Sequence, residues 1–216
     1  MIVAIEGPSA AGKTTWCRSR YPSHSVLEPP DNATAPDLFA DPAEVARFWV
    51  NYNLESWQRA LALEGEHSLA VCDGDPFHLY YSWALWRSGA VDARLFEIES
   101  QLYRQALEQQ QIGFVDHVLW LEVDMETLRR RALADASRRR KRHEMLLTLV
   151  PWMKMWFGER DRILPRSVRA LTGETCLEEL NSSTHDRYDV RLLDEMLQAR
   201  STSCVPSERR ATLPRF

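Results

Sequence analysis

Gly7-Pro8-Ser9-Ala10-Ala11-Gly12-Lys13-Thr14 matches G-x-x-x-x-G-K-[ST] at every fixed position. The eight residues alone could be a tight turn with an incidental lysine, so their setting matters. The apolar run Ile2-Val3-Ala4-Ile5 leads straight into them, and Lys13-Thr14-Thr15-Trp16-Cys17 is compatible with a helix that leaves them. Strand, loop and helix in that order are what the chemistry needs. Glycines let backbone N–H groups curl around phosphate oxygens, and the new helix turns its positive end towards them. Gly7, Ser9, Ala10, Ala11, Gly12, Lys13, Thr14 and Thr15 are therefore the expected nucleotide-binding residues. Lys13 would reach the β- and γ-phosphates, and the Thr14 hydroxyl would ligate Mg²⁺.

Working outward, short apolar runs alternate with longer helical patterns, the signature of a parallel sheet wrapped by helices. Ser25-Val26-Leu27 reads as a second strand ending in Glu28-Pro29-Pro30, and Leu69-Ala70-Val71-Cys72 as a third, stopped by Asp73-Gly74-Asp75-Pro76. His117 to Val123 is the clearest strand, and Val168 to Leu171 is the last. Asp41 reads as an N-cap with Pro42 as the first helical residue. That helix should run towards Glu64 with Val45, Phe48, Trp49 and Tyr52 on one face. A polar helix is expected from about Asp92 to Gln111, and Asp124 should cap a basic helix. The pattern predicts an α/β fold: a parallel sheet of the P-loop NTPase type, flanked by helices on both faces. One domain would span 1–200, with a lid at about 135–145 and a mobile tail at 201–216.

Composition narrows the field. The 216 residues are 44% hydrophobic and 27% charged, enough to bury a core without help from disulfides or metals. Lysine and arginine total 27 against 31 acids, a net charge of −4, which argues against a nucleic-acid partner. The opening apolar run is too short for a signal peptide, and no stretch is long enough to span a membrane. Cys17, Cys72, Cys176 and Cys204 form no CxxC pair, and the six histidines have no metal spacing. A cytoplasmic protein is expected.

No N-K-x-D segment supports a GTPase, and no strand ends in the Asp-Glu of a motor ATPase. A small kinase needs a P-loop, an acid near the acceptor hydroxyl, an acid near Mg²⁺ and arginines for the moving phosphoryl group. The chain offers all four. Ile5-Glu6-Gly7-Pro8-Ser9-Ala10-Ala11-Gly12-Lys13-Thr14-Thr15 resembles the opening of the deoxynucleoside kinase and thymidylate kinase families. Leu27-Glu28-Pro29 resembles their Glu-Pro, and Asp73 stands where they carry Asp-Arg or Glu-Arg-Ser. Arg138 to Arg142 followed by Glu144 resembles their arginine-rich lid. Gly74 departs from both families, which have arginine there.

The resemblance implies an enzyme that transfers the γ-phosphoryl group of ATP·Mg²⁺ to a small-molecule acceptor, a nucleoside or nucleotide, with room for a homodimer. Glu28, at the edge of the second strand where ligands of open sheets gather, would take the acceptor's proton. Asp73 would hold Mg²⁺ with Thr14, and Asp75 beside it would serve the acceptor. Eight Lys or Arg residues between Arg129 and Arg142 are relieved only by Asp135, and Arg138, Arg140 and Arg142 are the expected lid groups because arginine grips phosphate bidentately. Arg129 to Arg131 read as mostly helix surface. Phe48, Trp49, Asn51, Tyr52 and Phe77 are the expected acceptor-pocket residues, rings for stacking and an amide for hydrogen bonds. Two alternatives stay open: a phosphotransferase for an antibiotic, sugar or other metabolite on the same fold, and a non-catalytic nucleotide-binding regulator.

Overall fold

The structure, a computed structural model, describes residues 1–28, 35–135, 142–181 and 185–201. Five parallel strands form one sheet: β1 (Ile2–Glu6), β2 (Ser25–Val26), β3 (Ala70–Asp73), β4 (His117–Trp120) and β5 (Val168–Ala170), in the order β2-β3-β1-β4-β5. The chain moves from β1 to one side through β2 and β3, then crosses to β4 and β5 on the other. Such a reversal opens a crevice at the carboxyl ends of the strands, next to β1. Register places Ile5 beside Asp73 and Glu6 beside Trp120, so the ends of β1 and β3 meet at that crevice.

Helices α1 (Lys13–Arg20), α2 (Pro42–His67), α3 (Leu79–Arg87), α4 (Ala93–Glu108), α5 (Met125–Ala134), α6 (His143–Thr148), α7 (Val150–Ile163) and α8 (Val190–Ser201) cover the sheet. All of β1 is buried, and alternate residues serve opposite faces. Ile2 and Ala4 join the large core with Trp57, Tyr103 and Trp156, whereas Val3 and Ile5 pack with Cys17, Leu119 and Leu177. A strand buried on both sides has to read as a continuous apolar run, which is why β1 stands out in the sequence. No helix among the described residues is long and apolar enough to cross a membrane.

Asp41 caps α2 as its type predicts, accepting from the Ala43 amide at 2.8 Å, and the helix stops at Ser68 in a left-handed conformation. The phase of α2 differs from the expected one. Val45 is buried as expected, but the core stripe runs on through Ala46, Val50, Asn53, Ser56, Trp57 and Ala60, while Phe48, Trp49 and Tyr52 are half-buried at its flank. β4 is also shorter than the expected 117–123, and the apolar stretch after Arg142 breaks at Leu149 into α6 and α7, with Pro151 in the first turn of α7. Of the tail expected at 201–216, Ser201 is the last residue of α8, and 202–216 lie outside the described residues.

The amino ends of the strands are tied by charge. Arg187 donates to both oxygens of Glu64, at 2.7 and 2.6 Å, and to Asp116 at 2.5 Å. The N-terminal amine lies 2.5 Å from Glu64, and Asp116 also accepts from the Ile2 amide at 2.7 Å.

Candidate functional site

The loop after β1 is shaped by residues that have no alternative. Gly7 has φ +147°, and a Cβ there would lie 2.7 Å from the Leu121 carbonyl oxygen. Gly12, at φ +104°, turns the chain into α1. Lys13 extends back along this cradle, its Nζ donating to the Gly7 carbonyl at 2.9 Å. Among the described residues, Arg131 of α5 also reaches the loop and donates to the Ala11 carbonyl at 2.6 Å. It belongs to the arginines expected on the helix surface, and a run of three like residues hides which one turns inward.

Next to the loop, the Thr14 hydroxyl donates to Asp73 Oδ2 at 2.6 Å. Asp73 is buried, and its Oδ1 has no hydrogen-bond partner among the described residues. A hydroxyl and a carboxylate oxygen left open form a donor set of the kind Mg²⁺ takes, completed by water and phosphate. The two residues expected to hold the metal are thus brought together. Asp75 has another employment. Its carboxylate accepts from the Phe77 amide at 2.9 Å and pairs with buried Arg160 at 3.2 Å. Burial pushes Asp75 up to about 6 against the pull of Arg160.

Glu6, at the end of β1, is the acid that sequence reading quoted without assigning a role. Its Oε1 accepts from the Asp75 amide at 2.6 Å and from the Tyr80 hydroxyl at 2.7 Å, and its Oε2 accepts from the Gly7 amide at 3.2 Å. Burial raises Glu6 to about 7, opposed by nearby Lys13 and by these donors. His78, before α3, is pushed down to about 4 by burial and by Lys13, so its imidazole is neutral. It stacks on Tyr81 at 5.1 Å.

These groups line a cleft of about 1470 Å³ that runs from the loop past Asp73 and Glu28 to Glu99 and Tyr103 on α4. Gly7, Ser9, Ala10, Ala11, Gly12, Lys13, Thr14 and Thr15 all line it, as do Asp75, Trp49 and Tyr52. Glu28 lies at the exposed rim, close enough for its charge to raise the phenols of Tyr52 and Tyr81 further after burial has done so. Three expected acceptor residues are elsewhere. Asn51 is exposed and Phe48 is half-buried outside the lining, because the core stripe of α2 fixes its rotation. Phe77 is fully buried, stacked on Phe114 at 4.4 Å. Asn53 lines the cleft instead, donating to the Tyr103 hydroxyl at 2.7 Å. Arg142 lines the mouth, where it pairs with Asp37 at 2.8 Å and lies over the Phe39 ring at 5.0 Å. Arg138 and Arg140 lie outside the described residues.

No family model matches the sequence, and no curated protein matches it. Solved structures do. A deoxyadenosine kinase from M. mycoides with bound dATP superposes with a TM-score of 0.57 at 15% identity, covering 92% of this chain and 100% of that one. The same kinase with bound dCTP gives 0.59 at 14% identity over the same shares. The chain has the fold of this P-loop kinase. The strand β3, paired beside β1, delivers Asp73 to Thr14. The Gly74 departure also has a local reason. Its φ of +98° is a left-handed turn that favours glycine, and the Gly74 amide donates back to the Ile5 carbonyl at 3.0 Å.

Proposed function

We propose that this protein is an ATP-dependent kinase that transfers the γ-phosphoryl group to a hydroxyl of a nucleoside or nucleotide. The observation that carries this reading is the Thr14–Asp73 hydrogen bond beside the phosphate loop, in a cleft that also holds Glu28 and an aromatic pocket. A triphosphate site and an acceptor site in one cleft suit group transfer better than switching. The fold neighbour seen with dATP and with dCTP supports a base-bearing ligand.

Lys13 is held at the loop by two carbonyls, Gly7 at 2.9 Å and Pro8 at 3.4 Å. It would exchange them for β- and γ-phosphate oxygens, which as charged acceptors make the stronger bonds. Thr14 and Asp73 would hold Mg²⁺, which when bound neutralises charge building on the phosphates. Glu28 would accept the acceptor hydroxyl's proton as the new O–P bond forms and the β,γ-bridging P–O bond breaks. Arg131 and Arg142, with Arg138 and Arg140, would offset the charge of the transferring group. The same reading has the protein act in the cytoplasm on free small molecules, alone or as a homodimer.

The test is release of ADP from ATP·Mg²⁺ against nucleosides, nucleoside monophosphates, sugars and antibiotics, with product mass and a Lys13→Ala blank. A nucleoside or nucleotide should gain one phosphate, and Glu28→Ala should stop turnover while ATP still binds. Phosphate found only on a sugar or antibiotic would move the protein to the metabolite class. ATP binding with no acceptor phosphorylated would leave a regulator.

A further inference from the structure

Strand β1 gives its last two residues to different neighbours. Ile5 stands beside Asp73 of β3, and its carbonyl accepts from the Gly74 amide at 3.0 Å. Glu6 stands beside Trp120 of β4, and its carbonyl accepts from the Leu121 amide at 2.7 Å. Past Gly74 the link from β1 to the β3 side passes to the Glu6 side chain. Its Oε1 accepts from the Asp75 amide at 2.6 Å and from the Tyr80 hydroxyl at 2.7 Å. Its Oε2 accepts from the Gly7 amide at 3.2 Å. A carboxyl only 1% exposed thus ties the first residue of the phosphate loop to the turn after Asp73. All three partners are donors, the arrangement that suits an ionised carboxylate, which only accepts.

The two ends of this tie are the two halves of the metal-binding pair. Gly7 opens the loop that delivers Thr14, and Asp75 closes the turn that carries Asp73. Mg²⁺ accepts little error in the spacing of its ligands, since it demands near-ideal octahedral geometry. Without Glu6 the buried Asp75 amide would lose its acceptor, and a buried donor left unpaired is costly. The turn would move to repair that loss and would take Asp73 with it. Groups that orient a metal's ligands from behind commonly matter almost as much as the ligands themselves.

We infer that Glu6 is a positioning residue that sets the spacing of Thr14 and Asp73 for Mg²⁺ by bridging the Gly7 and Asp75 amides. It rests on the kinase reading for the nucleotide and the metal, and not for the acceptor. The bridge needs both the length and the two acceptor oxygens of glutamate. Glutamine has the length, but whichever way its amide is turned, its NH₂ group meets a backbone N–H. Aspartate has the oxygens but is one methylene too short to reach both amides.

The test is ATP binding with Mg²⁺, with Ca²⁺ and with EDTA, read by tryptophan fluorescence, since Trp16 and Trp49 line the cleft. It is run well above pH 7, the value to which burial raises Glu6, so that the carboxylate is ionised. In the wild type Mg²⁺ should tighten ATP by roughly tenfold. Glu6→Gln and Glu6→Asp should each cut that gain to within about threefold and leave metal-free ATP binding in place. The gain from Ca²⁺, which tolerates looser geometry, should change less. Tyr80→Phe takes a donor from the same carboxyl without touching either amide, so it should keep the Mg²⁺ gain. A purely structural role would put Tyr80→Phe and the Glu6 variants on one footing. Thermal melts accompany each protein, and if one Glu6 variant fails to fold, the other decides. A wild type indifferent to Mg²⁺, Glu6 variants with the full gain, or a Tyr80→Phe that loses as much as they do overturns the inference. Product mass separates it from the kinase reading. Coupling lost at Glu6 in a protein that phosphorylates no acceptor keeps Glu6 and sinks the kinase, whereas turnover with coupling intact in the Glu6 variants does the reverse.

Discussion

The two ends of the parallel sheet handle buried charge in opposite ways. At the amino ends, Glu64, Asp116, the N-terminal amine and Arg187 close into one network in which each acid has a cation. The hydrogen bonds of Arg187 hold Glu64 below its ordinary value. At the carboxyl ends, Asp73 keeps an oxygen with no partner among the described residues, and burial raises Glu6 to about 7 and Glu99 to about 8. One end completes its charges with protein groups. The other leaves an oxygen of Asp73 to be completed by something that arrives, and carboxyls whose titration is displaced by burial cluster at working sites. The contrast also separates stability from function, so it can be broken from either side.

The largest effect should come from the open end. Lys13→Ala or Asp73→Asn should lower turnover by roughly 10²–10³-fold or more and shift the melting temperature little. Steady-state kinetics together with a thermal melt decide the matter. Loss of activity that comes with loss of the fold would show that this end is structural after all. At the closed end the expectation reverses. Arg187→Ala leaves buried Asp116 without a cation, and Glu64 with the N-terminal amine alone, and should destabilise the fold by about 3 kcal/mol, while the protein that remains folded still binds ATP. Urea unfolding and nucleotide titration measure the two halves of that statement.

The pH dependence sets the ends against each other directly. Glu64 is held below 4.5, so its contribution is present above that value and fades as pH falls through its folded pKa. Glu6 is the opposite case. Raised from 4.5 to about 7, it contributes most below 4.5, and that contribution is lost as pH rises through about 7. Melts from pH 3 to 9 should show an acid limb flattened by Glu64→Gln and a fall in stability between about pH 4.5 and 7 flattened by Glu6→Gln. The Glu6 limb is on the order of 3 kcal/mol. Each variant should leave the other's limb alone, and a single variant that removes both would mean that the ends are not separate.

The same division governs what could be read from the sequence. The open end was legible because its chemistry is local. The glycine pattern directly follows its apolar run, each acid lies within a residue or two of its own strand, and strand order brings Thr14 to Asp73 across 59 residues. The Asp41-Pro42 start of α2 was legible for the same reason. The closed end was not, since Arg187 meets partners 71 and 123 residues away, and nothing near it in sequence marks it out. Arg131 was hidden among its neighbours. Glu99 did leave a signal, a lone carboxylate in the stripe Leu95, Tyr103, Ala106, but a stripe is normally read for what is apolar in it. The lid arginines Arg138 and Arg140 stand outside the described residues, and their part is a matter for the kinetics.

The smallest expected effect concerns the rotation of α2, where the sequence misled most. Three aromatics at 48, 49 and 52 look like a core stripe and carry Asn51 with them towards the acceptor. The structure turns the helix so that Ala46, Val50, Asn53, Trp57 and Ala60 face inward, leaving Asn51 in solvent. Asn51→Ala should therefore change stability by no more than about 0.5 kcal/mol, as exposed substitutions do, and should leave the acceptor's KM unaltered. Asn53→Ala, two residues on, leaves the buried Tyr103 hydroxyl without its 2.7 Å partner. It should cost about 1–3 kcal/mol and raise the acceptor's KM while the KM for ATP stays put. The pair is informative because side chains two apart on a helix point to different faces. A KM effect at Asn51 with none at Asn53 would put the acceptor on the other face of α2, away from the cleft wall that Asn53 and Tyr103 line.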